Sequence, residues 1–458
     1  MSIRLIEHPD RLEENPMNGR VVTTTVCMLA LTWCAIGVYP SFVRAEDEES
    51  RNLFRPVPVQ KAALLPKEQE KQLTALRDLP STVGVWVAEI NLGMFRQKSL
   101  NLNVTTEKSL PVVTDRVEKR SDNDFTWFGK MDGLGVRGEA ILVSKDGQVT
   151  GTIQSGADLY EIVPLGSGNH AVVKVDPAKL PQDEGPHPNK VLKLQEKLKK
   201  EHQDKGSENL IDKSQRTADG KYLIKPIVAY TPAARTEAGG KGQIESKIQL
   251  AVDATNKSYE NSGISIRMQL AHAYETNYQE SGNSELDLKR FRDKGDNYMD
   301  EVHSLRDRHR AQVGVLIVSK AYAGDGTPIG GLASSIGANA ETAFCVVMFR
   351  IMVARHVFAH EIGHLQGARH NWEAPGEAAG LAPTLGFPHG HGFWHKAGGP
   401  NENWSTIMSY ACPGNKCPRV LYWSNPDISI NGVPTGSKDC CNNAAVLNST
   451  AKAISSFR

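Results

Sequence analysis

His360, Glu361 and His364 stand at i, i+1 and i+4, a spacing that on a helix puts two imidazoles on one face, one turn apart and within reach of a single metal ion. Glu361 projects beside them, close enough to hold a metal-bound water. Three residues after His364 comes Gly367, and a glycine can take the left-handed conformation that ends a helix and turns the chain back. His370 can then reach the same ion. Three neutral imidazoles with an open fourth position make a catalytic zinc site, whereas structural sites close the shell with four protein ligands. With 14 His and 40 Gly in 458 residues, this set at these offsets has a chance expectation on the order of 10⁻⁴ at average Glu usage. One Zn2+ is the expected cofactor, and core histidines satisfied by hydrogen bonds are the weaker explanation.

Other residues have plainer readings. His389, His391 and His395 are interleaved with glycine and aromatic residues and are expected in a loop after the metal helix rather than at a second metal. Arg350 and Arg355 could meet acidic side chains of a substrate, but solvated surface arginines are commoner. Of the seven cysteines, Cys27 and Cys34 lie near the N-terminus. The rest are Cys345, Cys412, Cys417, Cys440 and Cys441. Four of these crowd the last fifty residues, which suits disulfides in an oxidising compartment. A local Cys412 to Cys417 bridge is favoured over metal ligation, the other pairings stay open, and one cysteine must remain unpaired within the chain.

These residues need a scaffold. From Ser81 to Val175 the chain reads as strands, with runs at Val83 to Ile90, Ile141 to Val143, Val149 to Ile153 and Ala171 to Val175, and an Asp146-Gly147 turn. From Asp176 to Gly220 it shifts to Lys, Glu, Asp, Gln and Pro, the composition of a solvated, protease-accessible linker. A globular pattern resumes near Tyr222. Strands at Ile227 to Tyr230, Ile264 to Leu270 and Val313 to Val318 alternate with helices from about Gln243 and near Asp296 to Arg308. The Gly331 to Ala333 and Phe344 to Met348 stretches read as strand and loop before the metal helix. That alternation predicts an α/β fold.

Lys plus Arg 53 against Asp plus Glu 52 gives a formal charge of +1. Nothing in that balance argues for nucleic acid or an anionic membrane as partner. The apolar run Val21 to Tyr39, followed by Val43-Arg44-Ala45, reads as a signal peptide cleaved after Ala45, with Met17 a tidier start than Met1. An uncleaved anchor is the alternative, because about 19 apolar residues just span a bilayer. The expected organisation is a signal peptide over 1–45, a β-rich prosegment over 46–175, a linker and processing region over 176–220, and a metalloprotease domain over 221–458. The product would be secreted or periplasmic.

The string His360-Glu361-x-x-His364-x-x-Gly367-x-x-His370, followed by Thr406-Ile407-Met408-Ser409-Tyr410, resembles the metzincin zinc endopeptidases and their Met-turn. Tyr230 to Arg235, Asn261-Ser262-Gly263, Leu305-Arg306-Asp307, Phe358 to Asn371 and the stretch from Ser424 to Gly436 are similar to the bacterial reprolysin-like, peptidyl-Asp metalloendopeptidase family. The likeness covers about Tyr222 to Arg458, with weaker matches before it. It implies a metzincin-like catalytic domain, α/β or α+β, with a twisted mixed sheet and a zinc helix, preceded by a small all-β prodomain. It implies that Met408 lies beneath the metal, that Tyr410 binds zinc or stabilises an oxyanion, and that cleavage falls before acidic residues. Asn371 departs from the Asp common in reprolysins at that position. Arg350 to His356 departs where a cysteine-containing stretch is expected.

The reading is therefore a zinc endopeptidase with Glu361 and Tyr410 as catalytic residues and His360, His364 and His370 on the metal. Gly367 and Met408 support the site, and polypeptide substrates lie along an edge strand at Gly331, Leu332 and Ala333. The alternatives are a secreted, non-catalytic metal-binding or adhesion module on the same fold, and zinc-dependent hydrolysis of something other than protein. A non-catalytic module would be expected to lose Glu361 or a ligand, and none is lost. No cysteine lies between Glu46 and Gly220, so latency could not use a thiolate on zinc. A steric block, or an acid such as Asp132 on the metal, is the expectation instead.

Overall fold

A computed structural model describes residues 51–62, 64–180, 215–374, 377, 388–397, 402–410, 412 and 417–458. The signal peptide and most of the linker lie outside the described residues.

The N-terminal part builds one antiparallel sheet from β1 (Phe54–Pro56), β2 (Thr82–Ile90), β3 (Ser99–Asn103), β4 (Ser109–Lys119), β5 (Asp124–Lys130), β6 (Gly138–Lys145), β7 (Gln148–Ser155), β8 (Asp158–Gly166) and β9 (Asn169–Val175), in the order β1-β2-β9-β8-β7-β6-β5-β4-β3. Asp146 and Gly147 turn β6 into β7 with φ of 50° and 80°, the left-handed pair that a two-residue hairpin requires. The four strand runs read from the sequence all fall inside these strands. Helix α1 (Lys67–Arg77) lies between β1 and β2 and is largely polar, burying Gln69 and Leu73; its Gln69 Nε2 donates to Gly166 O at 3.0 Å.

Around β6 both faces of this sheet are covered. Along β6, Leu142 joins a cluster with Trp127, Ile153 and Tyr160, while Ile141 and Val143 on the other face join the core of the C-terminal part. His170 is buried in β9, where Nε2 accepts the Val149 N–H at 3.0 Å and Nδ1 lies 3.0 Å from Gly168 O. Burial lowers its pKa from 6.5 to about 4. Between those pH values the unfolded chain binds a proton that the folded chain does not, so this contribution is complete above pH 6.5 and is lost as pH falls through 4. Denaturant unfolding should therefore weaken by about 1.4 kcal/mol per pH unit from this group across that window. In His170→Gln the pH slope should drop by one proton; an unchanged slope would remove His170 as the cause.

The C-terminal part is α/β. Its main sheet holds β11 (Pro226–Tyr230), β13 (His272–Glu275), β14 (Val313–Val318), β15 (Gly331–Ala333) and β16 (Phe344–Met348), ordered β13-β11-β14-β16-β15. Four strands run parallel and β15 pairs antiparallel with β16 at the edge. Val313–Val318 is buried throughout, as a continuous apolar strand between two covered faces must be. Two short parallel strands, β10 (Tyr222–Ile224) and β12 (Ile266–Met268), form a separate pair. The helices are α2 (Pro232–Ala238), α3 (Lys241–Asn261), α4 (Ser284–Arg292), α5 (Glu301–His309), α6 (Val357–Leu365) and α7 (Asn443–Ser455). The sequence reading omits α7, and also α2 and α4. Thr231 and Asn283 cap their first turns through side-chain oxygens, a signal available in the sequence.

Helix α3 lies between the two parts. Its Asp253 is buried, accepting from Thr126 Oγ1 at 2.5 Å and lying 3.2 Å from Arg120 Nη1. Lys257 stands 3.5 Å from both Asp115 and Glu139 of the β-sheet part. Cys412 bridges Cys417 and Cys440 bridges its neighbour Cys441, while Cys345 is free and buried in β16. No described helix is long and apolar enough to cross a membrane.

Candidate metal centre

Helix α6 carries the sequence FAHEIGHL and buries every residue from Val357 to Leu365. Apolar neighbours can surround it so closely because one position is only a backbone. A Cβ on Gly363 would lie 2.6 Å from the Trp423 ring and 2.9 Å from Met408 Sδ. After Leu365 the chain turns at Gly367, φ 101°, where the Gly367 N–H donates to His364 O at 2.8 Å and the Ala368 N–H to Gly363 O at 2.9 Å. This reversal returns His370 to the helix.

The three imidazoles converge. His370 Nε2 is 3.1 Å from His360 Nε2 and 3.0 Å from His364 Nε2, and the three ligand atoms all lie within 4.8 Å of one another. Nitrogens bound at 2.0–2.1 Å to one tetrahedral ion would sit about 3.3 Å apart, so the donor set fits such an ion with little movement. The opposite ring nitrogens face acceptors: His360 Nδ1 is 2.9 Å from Ile407 O, and His364 Nδ1 is 2.9 Å from Ala368 O. Each Nδ1–H donating there leaves the Nε2 lone pair directed inward. Burial, then the neighbouring imidazoles, holds His360 well below the usual imidazole range. Burial lowers His364 to about 3. Both rings are neutral at physiological pH, as metal ligation demands.

Glu361 is buried beside them against the edge strand. A Cβ added to Gly331 would meet Glu361 Oε1 at 2.8 Å and Val346 O at 2.8 Å. Gly331→Ala should therefore push the carboxylate aside and lower kcat about tenfold or more, with metal content retained. Unchanged kinetics would show that Glu361 does not need this position.

Met408 is fully buried, and the Tyr410 ring lies 4.5 Å from that of His370, tilted by 55°. The Tyr410 N–H donates to Asn371 Oδ1 at 2.9 Å, so the residue after His370 ties the segment that follows Met408 to the third histidine. Leu332 and Ala333 lie with Gly331 in the edge strand β15.

His391, expected in a loop rather than at a second metal, has its Nδ1 2.7 Å from His370 O and its ring stacked on Trp372 at 3.9 Å, and among the described residues only His360, His364 and His370 group as a metal site. Other expectations are corrected. Asp132 is exposed and is not part of that group. Arg350 is engaged by Glu237 at 2.6 Å, and Arg355 donates to Pro177 O at 2.8 Å in the β-sheet part. The sequence reading also missed Glu377, buried at 3.3 Å from His370 Nδ1 and 3.7 Å from His391 Nδ1, with its pKa raised by burial. No motif announces it, since an isolated Glu in a Gly- and Pro-rich stretch has no periodic or spacing signal.

Residues 221–424 match the model of metallo-peptidase family M12. A peptidyl-Asp metalloendopeptidase from Xanthomonas campestris pv. campestris is 33% identical over 457 residues, spanning 96% of this chain and 100% of that one. One from Stenotrophomonas maltophilia (strain R551-3) is 34% identical over 419 residues, 89% of this chain and 94% of that one. A shorter enzyme of the same name from Pseudomonas fragi is 32% identical over 204 residues, 44% of this chain and 99% of its own length.

Proposed function

This chain belongs to the peptidyl-Asp metalloendopeptidase family and is a metalloendopeptidase, and from that premise we propose a secreted, latent zinc enzyme that cleaves polypeptides before acidic residues. The observation that carries the reading is the convergence of three buried Nε2 atoms, with Glu361 adjacent and the outer nitrogens of His360 and His364 facing backbone carbonyls.

His360, His364 and His370 would hold the ion. Zinc there supplies Lewis-acid polarisation of the scissile carbonyl and lowers the pKa of its water toward about 7. Glu361 takes the proton of the attacking water and passes it to the leaving amine, acting as base and then acid. Tyr410 donates a hydrogen bond to the developing oxyanion. A substrate laid antiparallel to Gly331–Ala333 would place its scissile carbonyl next to Glu361. The C-terminal domain would be metzincin-like, and acidic specificity is taken from the names of the relatives.

The domain limits 1–45, 46–175, 176–220 and 221–458 are part of the same proposal. In support, the metallo-peptidase match covers 221–424, whereas β1 to β9 before the linker form a sheet of their own. The uncut protein should be largely inactive, cutting within 176–220 should activate it, and thiol-modifying mercurials should not. N-terminal sequencing of the active form, with a cleavage profile on a peptide library, is the test. Full activity in an uncut chain would overturn the prosegment assignment. A preference for large apolar residues after the scissile bond would overturn the acidic specificity.

A further inference from the structure

The three converging histidines are not held alike. His360 and His364 stand on helix α6, whose backbone sets the direction of their rings, and each faces a backbone carbonyl through Nδ1 at 2.9 Å. His370 lies beyond Gly367, where no helix aims it. Its main chain is fixed by the segment alongside: the Arg369 N–H donates to Gly390 O at 2.8 Å, the Gly392 N–H to Arg369 O at 3.0 Å, and His391 Nδ1 lies 2.7 Å from His370 O. The orientation of the His370 ring is decided at its side chain.

Glu377 stands there. It is 1% exposed, its Oε1 is 3.3 Å from His370 Nδ1, and neither of its carboxylate oxygens makes a hydrogen bond among the described residues. Burying a carboxylate without donors is costly, so a group placed this way calls for a use. The ring chemistry supplies one. An imidazole that gives its Nε2 lone pair to a metal carries its proton on Nδ1, so a ligating His370 directs a donor at this carboxylate. A shift of ~0.5 Å turns the observed separation into a charge-assisted hydrogen bond. His391 Nδ1 is the other nearby donor, but it stands 3.7 Å from Oε2 and meets His370 O instead.

Resting on the zinc centre proposed above, we infer that Glu377 is a positioning residue for the third ligand: its carboxylate accepts the His370 Nδ1–H, holds that ring with Nε2 turned toward the other two, and makes it a more basic ligand. His360 and His364 are oriented by neutral carbonyls. His370 is oriented by an anion. Partners of this kind are typically worth 10- to 100-fold in metal affinity, so Glu377 tightens the centre without touching the ion.

The test uses the full chain with isotope-labelled histidine and zinc as the probe. Glu377→Gln is close to isosteric and keeps an acceptor while losing its charge, so in the zinc-loaded variant the His370 Nδ1–H resonance should move upfield. Those of His360 and His364 should stay where they are. Glu377→Met fills the same volume with no acceptor, and its Kd for zinc, measured by competition with a chelator, should rise by about 10- to 100-fold. The melting temperature of the metal-free Met variant should match that of the metal-free wild type, which separates a lost ligand partner from lost packing. A folded Met variant that binds zinc as the wild type does, or a His370 resonance unmoved in the Gln variant, overturns the role of Glu377 and leaves the metal centre standing. If the Met variant does not fold, the Gln resonance decides alone. A wild-type chain that takes up no zinc overturns the metal centre, and this inference with it.

Discussion

Glu361→Gln should leave the chain folded and metal-loaded while lowering kcat by about 10³-fold, the cost of removing a general base. The substitution is close to isosteric, which matters at this position. Glu361 is 1% exposed, and its carboxylate lies against the backbone of the edge strand, where even one added methyl at Gly331 would collide with it. An amide of the same shape fits the space, yet it cannot accept the proton that the attacking water must lose. Metal content and melting temperature should match the wild type, which separates lost chemistry from lost structure. If the Gln enzyme turns over peptide at the wild-type rate, the base is another group.

Metal removal should be as damaging, and for a different reason. Chelation is expected to take peptidase activity to background, with recovery on adding zinc, because His360, His364 and His370 share one small volume and nothing else among the described residues groups as a metal site. The loss should extend to stability. A ligand that binds only the folded chain stabilises it by about 4 kcal/mol at a thousandfold excess over Kd, so thermal unfolding should shift down in the metal-free protein. The apo protein should remain folded, since Trp423, Met408 and Val357–Leu365 bury the helix without the ion. Activity that persists in metal-free protein would overturn the assignment of this centre. Metal binding retained after His364→Ala and His370→Ala together would overturn the ligand set.

Much of this centre was legible in the sequence because its spacing is local. The i to i+4 offset of His360 and His364, and the glycine that turns the chain toward His370, are properties of one helix and its stop. The strands read at Val83 to Ile90 and Val313 to Val318 were legible for the same reason, since β-branched runs bounded by turn residues carry their own signal. Helix α1 was not legible, because Lys67–Arg77 is largely polar and its place is fixed by contacts such as Gln69 with Gly166, 97 residues away. The adjacent Cys440–Cys441 bridge lay outside any spacing argument.

The sequence by itself pointed to the three histidines that group as a candidate metal site, to Glu361 beside them and to the metallopeptidase class, because those depend on residue type and on distances of ten residues or less. Only the tertiary structure decided which groups orient the ligands and how the arginines are engaged. Ile407 O meets His360 from 47 residues away, and Asn371 meets the Tyr410 amide across 39. The sequence reading offered Arg350 and Arg355 here and did not name Arg419. Packing turned Arg350 to Glu237, set Arg355 against the β-sheet part and bonded Arg419 to Ser409 O beside Met408. The physical reason is that a side chain's charge is written in the sequence, whereas its desolvation and its partners depend on chain segments that only folding brings together.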